Sequence, residues 1–275
     1  MNIDTIANIK FDKKIINYLS VLKPAATAIL LAPTETDLKD IIQYTTMDLT
    51  LKKVLSIQHK NIRLHPSDPY ERARTIVETD KNFATYRKSI YESYFLGIIN
   101  EQSYFQLYSY LLRIYHELPL DNKVKKSILK EHKILNLFSF SFTFDSFSIF
   151  RLNRNGEKVR NEIQRYFVTI EENLPHIIEN SPLQVLHLLS FLKGNFFLLK
   201  NISVELLEKI NALIKLHKEE VRDEYFDLFD LFEFSDIFLS GISEEIGESM
   251  QTIERTYNRG NPSTDNVYDP TDFSD

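Results

Sequence analysis

The chain has 275 residues, of which 43% are hydrophobic and 26% are charged, a composition that is ordinary for a globular protein. It contains no cysteine, which excludes disulfides, thiolate zinc sites, iron–sulfur clusters and cysteine nucleophiles. The net charge of −6 is unevenly distributed: residues 219–275 carry 16 acidic and 3 basic side chains, and residues 1–218 carry a net charge of +7. Such an asymmetry is typical of interaction surfaces, since an acidic region competes with other anions for a basic one.

In the first part of the chain, the spacing of apolar residues predicts helices and one hairpin. A short hairpin is expected at 54–64, with His59 and Lys60 at its turn. Predicted helices lie at 10–22, 36–44, 47–55, 70–80, 84–97, 102–117 and 121–135.

The hydrophobic period changes from helical to strand-like at residue 138. Four phenylalanines alternate with serine and threonine over 138–144, which predicts a strand, and 147–152 is predicted to return as its partner. A helix is predicted at 157–173, ending before Pro175. Further predicted helices lie at 183–199, 203–218, 223–238 and 242–257. The segment 183–199 carries a polar stripe, which indicates a buried helix rather than a membrane span.

These elements predict a mainly α, multi-helical fold with one or two small β-hairpins, and the scarcity of glycine (six residues) disfavours an all-β fold. Two stretches share the order strand, short polar loop and basic helix. The first runs from Ile62-Arg63-Leu64-His65 into a predicted helix at 70–74, and the second runs from Phe150-Arg151-Leu152-Asn153 into one at 157–160.

The repeated order helix, helix, hairpin, helix resembles the winged-helix superfamily, over about 10–80 and 84–173. The resemblance implies recognition helices at 47–55 and 122–135, and a last wing strand with its exit turn at 150–156. It also implies the domain organisation, which is a first winged-helix-like unit at 1–80, a second at 81–173, a C-terminal helical region at 174–257 and a flexible acidic tail at 258–275.

Basic residues recur on the helix that follows Asp121 and in the wing-like segment. Their three- and four-residue spacing on the helix predicts one cationic face, which is able to neutralise phosphates of a nucleic acid. The alternative is that these lysines only keep the helix solvated. The predicted nucleic-acid or anion face consists of Lys123, Lys126, Lys130, Lys133, Arg151, Arg154 and Lys158. The corresponding first-half helix at 47–55 offers only Lys52 and Lys53, so it is the poorer nucleic-acid reader.

An acidic and aromatic helix is predicted at 223–238. An anionic side and an aromatic side suit docking on a basic, partly apolar surface, either of another protein or of this chain itself. An ordinary amphipathic helix is the alternative. The predicted protein-docking face consists of Asp223, Tyr225, Asp227, Phe229, Asp230 and Phe232.

No motif for nucleotide binding, serine hydrolysis or metal binding is found, so no catalytic residue, cofactor or metal site is predicted. The first hypothesis is a non-enzymatic, regulatory protein that acts as a protein–protein docking scaffold in the cytoplasm, without membrane association. The alternative is DNA or RNA binding through the second unit, with the acidic C-terminal end as internal competitor. A third hypothesis is an unrecognised hydrolase.

Overall fold

The computed structural model describes residues 5–6, 9–63, 70–119, 121–142, 148–200, 203–216 and 241–258. It is mainly helical with small antiparallel sheets, which confirms the predicted fold class. Within these ranges the helices are α1 (Lys13–Val21), α2 (Pro24–Leu31), α3 (Leu38–Leu51), α4 (Ser93–Leu96), α5 (Leu107–Glu117), α6 (Asp121–Glu131), α7 (Arg154–Asn180), α8 (Pro182–Leu192), α9 (Val204–Leu216) and α10 (Ile242–Asn258), with 3-10 turns at Leu135–Leu137 and Lys193–Leu198. The strands are β1 (Thr5–Ile6), β2 (Ile9–Lys10), β3 (Leu55–Ile62), β4 (Arg72–Thr79), β5 (Phe105–Gln106), β6 (Phe138–Phe142) and β7 (Ser148–Leu152).

Helices α2 and α3 differ from the predicted helices of this region. The helices predicted at 36–44 and 47–55 form the single helix α3, which begins with a capping box between Asp37 and Asp40. Helix α2 was not predicted; it begins with Pro24, and its first seven residues are all buried. An all-round buried helix lacks the apolar and polar alternation on which a sequence-based prediction depends.

The first hairpin is longer than predicted. Strands β3 and β4 pair antiparallel from Leu55 opposite Thr79 to Ile62 opposite Arg72, so the predicted turn at His59 and the predicted helix at 70–80 are both wrong. The physical reason lies in the β-branched run at Thr75, Ile76 and Val77, which is buried in the core and favours a strand. Strand β5 adds a third strand beside β4.

The helices predicted at 84–97 and 102–117 are shortened to α4 and α5. Most of 81–92 forms turns, and α5 begins only at Leu107. Local side-chain bonds stabilise the intervening turn, because Asn100 Oδ1 accepts from the Gln102 amide and Ser103 Oγ accepts from the Asn100 amide. Such bonds compete with a helix for the same backbone groups.

The second hairpin agrees with its prediction. Strands β6 and β7 pair from Phe138 opposite Leu152 to Phe142 opposite Ser148, and the predicted turn lies outside the described residues. Helix α7 begins at Arg154, where Asn153 Oδ1 accepts from two backbone amides, and continues through Pro175 to Asn180. Its predicted end at 173 is therefore wrong. Buried residues beyond this position continue the apolar face of the helix: Leu174, Ile177 and Ile178.

The C-terminal region contains α8, α9 and α10. The helix predicted at 183–199 ends at Leu192, where Lys193 has a φ of 49° and a 3-10 turn follows. Ser203 Oγ accepts from the Leu206 amide at 3.2 Å, as expected of a helix N-cap. Helix α10 matches its prediction, and the helix predicted at 223–238 lies outside the described residues. No helix in the described part of the chain is long and apolar enough to cross a membrane.

Helices α3 and α6 end in the same way. At the end of α3, Lys53 has a φ of 55°, the Lys53 amide donates to the Thr50 carbonyl, and the Val54 amide donates to the Leu49 carbonyl. At the end of α6, Lys133 has a φ of 56°, and its amide and that of the next residue make the equivalent bonds, to Lys130 and to Leu129. Both ends are Schellman motifs with a lysine in the left-handed position.

The hairpins that follow these helix ends also close in the same way. The residue after β4, Asp80, donates its amide to the carbonyl of Val54, which precedes β3, at 3.0 Å. The residue after β7, Asn153, donates its amide to the carbonyl of Leu137, which precedes β6, also at 3.0 Å. The packing of the helices is reciprocal, because α2 packs on α6 and α5 packs on α3. The order helix, helix, hairpin is therefore repeated with matching local structure.

We call α2, α3, β3 and β4 the first repeat, and α5, α6, β6 and β7 the second repeat. Their buried residues belong to one contiguous core cluster, to which α7, α8 and α10 also contribute. The predicted division into domains and the membership of the winged-helix superfamily stay predictions.

Candidate nucleic-acid interface

Helix α6 has one buried and one exposed side. Val124, Ile128 and Leu129 are buried, whereas the lysines at 123, 126 and 130 are exposed. Because residues three and four positions apart lie on the same side of a helix, these three lysines share the exposed side. The apolar spacing of the sequence predicted this orientation.

Two lysines next to this face differ from it. Lys125 is buried; its Nζ lies 2.7 Å from Asp121 Oδ2 and donates to the Pro33 carbonyl at 3.4 Å, so it attaches α6 to the loop after α2. Lys133 is exposed but lies beyond the last helical residue, Glu131, in the left-handed conformation. The spacing argument placed Lys133 on the helix, whereas only the first three predicted lysines belong to α6.

The 3-10 turn at Leu135–Leu137 brings the other predicted cations towards α6. The turn contacts α6 on one side and α7 on the other. Gly156 is packed so closely that an added Cβ would lie 2.2 Å from the Leu137 carbonyl oxygen. The first two turns of α7, with exposed Arg154 and Lys158, are therefore held against the turn that follows α6, and exposed Arg151 lies at the end of β7.

Most cations of this region have no acidic partner among the described residues. The region is Lys123, Lys126, Lys130, Lys133, Arg151, Arg154 and Lys158, and we call it the basic face. Apart from Lys126, none of these cations makes an ion pair with another described residue. By contrast, many surface cations elsewhere lie close to a carboxylate oxygen, among them Lys39 with Glu254 (3.5 Å), Lys60 with Glu78 (2.5 Å), Arg63 with Glu71 (3.6 Å), Arg113 with Glu117 (3.2 Å) and Lys209 with Glu205 (2.9 Å).

The equivalent helix of the first repeat, α3, cannot offer such a face. Its last seven residues, 45–51, are all buried. Helix α10 runs along it, with Glu254 beside Lys39 and Ser243 beside Met47. The implied recognition helix at 47–55 is therefore covered by the protein itself. The burial of this helix could not be predicted from local sequence, because the covering helix α10 lies about 200 residues further along the chain.

The spacing analysis missed a buried ionic cluster between the two repeats. Glu92 is fully buried and accepts four hydrogen bonds, from Lys23 Nζ (2.8 Å), Tyr86 OH (3.0 Å) and the amide and hydroxyl of Ser89 (2.8 Å each). Burial alone would raise the pKa of Glu92, but Lys23 and the other donors hold it below its usual value. A signal existed, since Glu92 is the one charged residue in the apolar stretch 89–100.

The end of α6 joins this cluster. Lys23 Nζ lies 3.8 Å from Glu131 Oε1, and His132 follows at once. Burial, together with the positive charge of Lys23, lowers the pKa of His132 to about 4, against a hydrogen bond to the Val21 backbone that favours the charged form. His132 Nε2 is buried and has no hydrogen-bond partner among the described residues. The groups of this cluster mostly satisfy one another, which indicates that it joins the repeats.

The predicted protein-docking face, from Asp223 to Phe232, lies outside the described residues. No protein-family model, curated protein or solved structure matches the chain. Of the two predicted faces, the basic face is the one that the described residues contain.

Proposed function

We propose that the protein binds the phosphate backbone of a nucleic acid through the basic face, and that it acts by binding rather than by catalysis. The observation that supports this proposal is a group of exposed cations, most of them without an acidic partner in the described part of the chain, carried by three elements that meet at the Leu135–Leu137 turn.

Uncompensated positive charge on the basic face favours binding of a polyanion. An exposed cation beside a carboxylate is already neutralised locally, whereas a group of cations without carboxylates attracts polyanions and displaces the cations condensed on them. Each phosphate that a cation neutralises releases counterions, which contributes to affinity at low salt. The net charge of −6 does not oppose this, because residues 1–218, which include the whole basic face, carry a net charge of +7.

Exposed lysine dominates the helical part of the basic face. Lysine is a flexible point charge, whereas base recognition depends on the planar donor pairs of arginine, asparagine and glutamine. We therefore expect backbone contacts to dominate affinity on α6, with little preference for sequence.

The test is binding of a labelled duplex at several salt concentrations, with the variant Lys123→Glu/Lys130→Glu. Two reversed charges on α6 should weaken binding about tenfold or more at low salt and reduce the slope of log affinity against log salt by about 2. The matched control is Lys10→Glu/Lys200→Glu, which makes the same charge change at exposed lysines without an ion pair in the described part.

The control sites are remote from the basic face. The Lys200 amide donates to Glu171 Oε1 at 2.7 Å, and Phe11, next to Lys10, packs on Tyr166. These positions of α7 lie roughly 12 to 20 Å beyond Lys158 at 1.5 Å per helical residue. Equal losses in both variants, or no binding at about 50 mM salt by the full chain and by a chain lacking 259–275, would contradict the proposal. Protein docking through 223–232 and a cytoplasmic location stay predictions.

A further inference from the structure

The C-terminal helix α10 ends near the beginning of α6, the helix that carries lysines of the basic face. Tyr257, in the last turn of α10, lies against the last turn of α5: its hydroxyl is 3.0 Å from His116 Nδ1, and its ring centroid is 5.1 Å from that of Tyr115. Glu254, one turn earlier, pairs with Lys39 at 3.5 Å. These contacts therefore hold the C-terminal end of α10 against the end of α5 and the beginning of α3.

The distance from this point to the basic face is short. Helix α5 ends at Glu117 and α6 begins at Asp121, so only a few residues separate the His116 contact from Lys123. At no more than about 3.6 Å per residue, the chain between His116 and Lys123 spans at most roughly 25 Å, and less because part of it is helical. The last turn of α10 thus lies within reach of the first lysine of the basic face for a segment of 17 residues that follows it.

Residues 259–275 have the charge that this face lacks. They contain four aspartates (Asp265, Asp269, Asp272 and Asp275) and one arginine. The 17 residues can extend to about 55 Å. Helix α6, with 11 residues, is only about 16 Å long, so the aspartates can reach all of its lysines.

We infer that residues 259–275, the predicted acidic tail without the helical residue Asn258, bind the basic face within the same molecule and compete there with nucleic acid. The name acidic tail is used below for these 17 residues. This inference rests on the proposed function and adds its regulation. A tethered segment has an effective concentration on the order of 1 mM, so even a weak contact of four carboxylates occupies the face for much of the time. Such contacts are screened by salt, and the competition is strongest at low ionic strength.

The test uses the full chain with all four aspartates of the acidic tail changed to asparagine. The matched control changes the same number of aspartates in the other acidic stretch: Asp223→Asn, Asp227→Asn, Asp230→Asn and Asp236→Asn. The first readout is the reactivity of Lys123, Lys130 and Lys133 towards a lysine-modifying reagent, measured by mass spectrometry without nucleic acid. The second readout is affinity for a labelled duplex.

The tail variant should show higher reactivity at these lysines and about three- to tenfold tighter duplex binding at low salt, with the difference disappearing at high salt. The control should resemble the unchanged chain. Unchanged reactivity and affinity in the tail variant would overturn the inference, and a gain in the control alone would assign the competition to 217–240. Increased lysine reactivity without duplex binding by any variant would support the contact between the acidic tail and the basic face, and would overturn both the competition and the proposed function.

Discussion

The two repeats share their local structure and differ in what covers them. In both, the second helix ends in a Schellman motif with a left-handed lysine, and in both the hairpin closes through an amide of the residue that follows it. Yet the last seven residues of α3 are buried beneath other elements, whereas α6 exposes three lysines. A repeated fold unit can therefore offer a binding surface only where the rest of the chain leaves it uncovered.

The corresponding positions of the two helices show the same divergence. A shift of 80 residues superimposes the two left-handed lysines, and it places Thr46 and Thr50 opposite Lys126 and Lys130. Both threonines are buried. A lysine at either position would have to place an ammonium group in the core, which costs several kcal/mol when it is unpaired. The covering of α3 thus accounts for the absence of a basic stripe on it.

The largest expected effect comes from breaking the buried cluster that joins the repeats. We expect Glu92→Ala to lower the free energy of unfolding by about 3 kcal/mol, because it leaves Lys23 and several donors without their acceptor. Urea denaturation monitored by circular dichroism measures this. The exposed Glu208→Ala on α9 is the control, for which the change should stay within about 0.5 kcal/mol. Equal effects of the two substitutions would show that the cluster does not stabilise the junction.

The second prediction concerns pH and the same junction. His132 has a pKa of about 4 in the folded chain and about 6.5 when unfolded, so the unfolded chain binds more protons between these values. Stability from neutral His132 is therefore complete above about pH 7 and is lost as pH falls towards 4, with roughly 2 kcal/mol lost between pH 8 and pH 5. Chemical denaturation of the unchanged chain and of His132→Gln between pH 8 and 5 measures it.

The difference between these two chains should be constant above pH 7 and should shrink steadily below 6.5. Glu92 does not titrate in this pH range, because its pKa is held below 4.5. Its contribution to the free energy of unfolding is lost only under more acidic conditions. Parallel stability curves down to pH 5 would mean that His132 titrates normally in the folded chain, and that the end of α6 is open to water at the junction.

The sequence predicted much of the second repeat and less of the first. The periodic apolar residues of α6 and the alternating phenylalanines of β6 are local signals of structure. The exposed side of α6 and the pairing of β6 with β7 were therefore predicted correctly. Strand β4 was assigned to a helix because its stability comes from pairing with β3 and from burial of Thr75–Val77, neither of which is visible in local spacing. Lys125 lies in the sequence between two lysines of the predicted face and is nevertheless buried, since its contacts with Asp121 and the Pro33 carbonyl depend on tertiary packing.

The smallest expected effect compares the two left-handed lysines directly. A left-handed φ costs a non-glycine residue about 1 kcal/mol, and glycine is the preferred residue at this position of a Schellman motif. We expect Lys133→Gly to raise the free energy of unfolding by about 0.5 to 1 kcal/mol, because Lys133 is exposed and its side chain contributes little packing. We expect Lys53→Gly to raise the free energy of unfolding by less than this or to lower it. Lys53 is only 7% exposed, and the substitution removes the packing of its buried alkyl chain.

Thermal unfolding of the two variants measures this difference, and Lys130→Gly is the control. Lys130 is exposed within α6, so glycine there should destabilise the chain by about 1 kcal/mol through loss of helix propensity. Opposite signs at 130 and 133 locate the end of the helix between these residues and exclude a general effect of glycine. An equal gain at 53 and 133 would mean that the burial of Lys53 contributes nothing, and that the two repeats differ in their covering but not in the energetics of their helix ends.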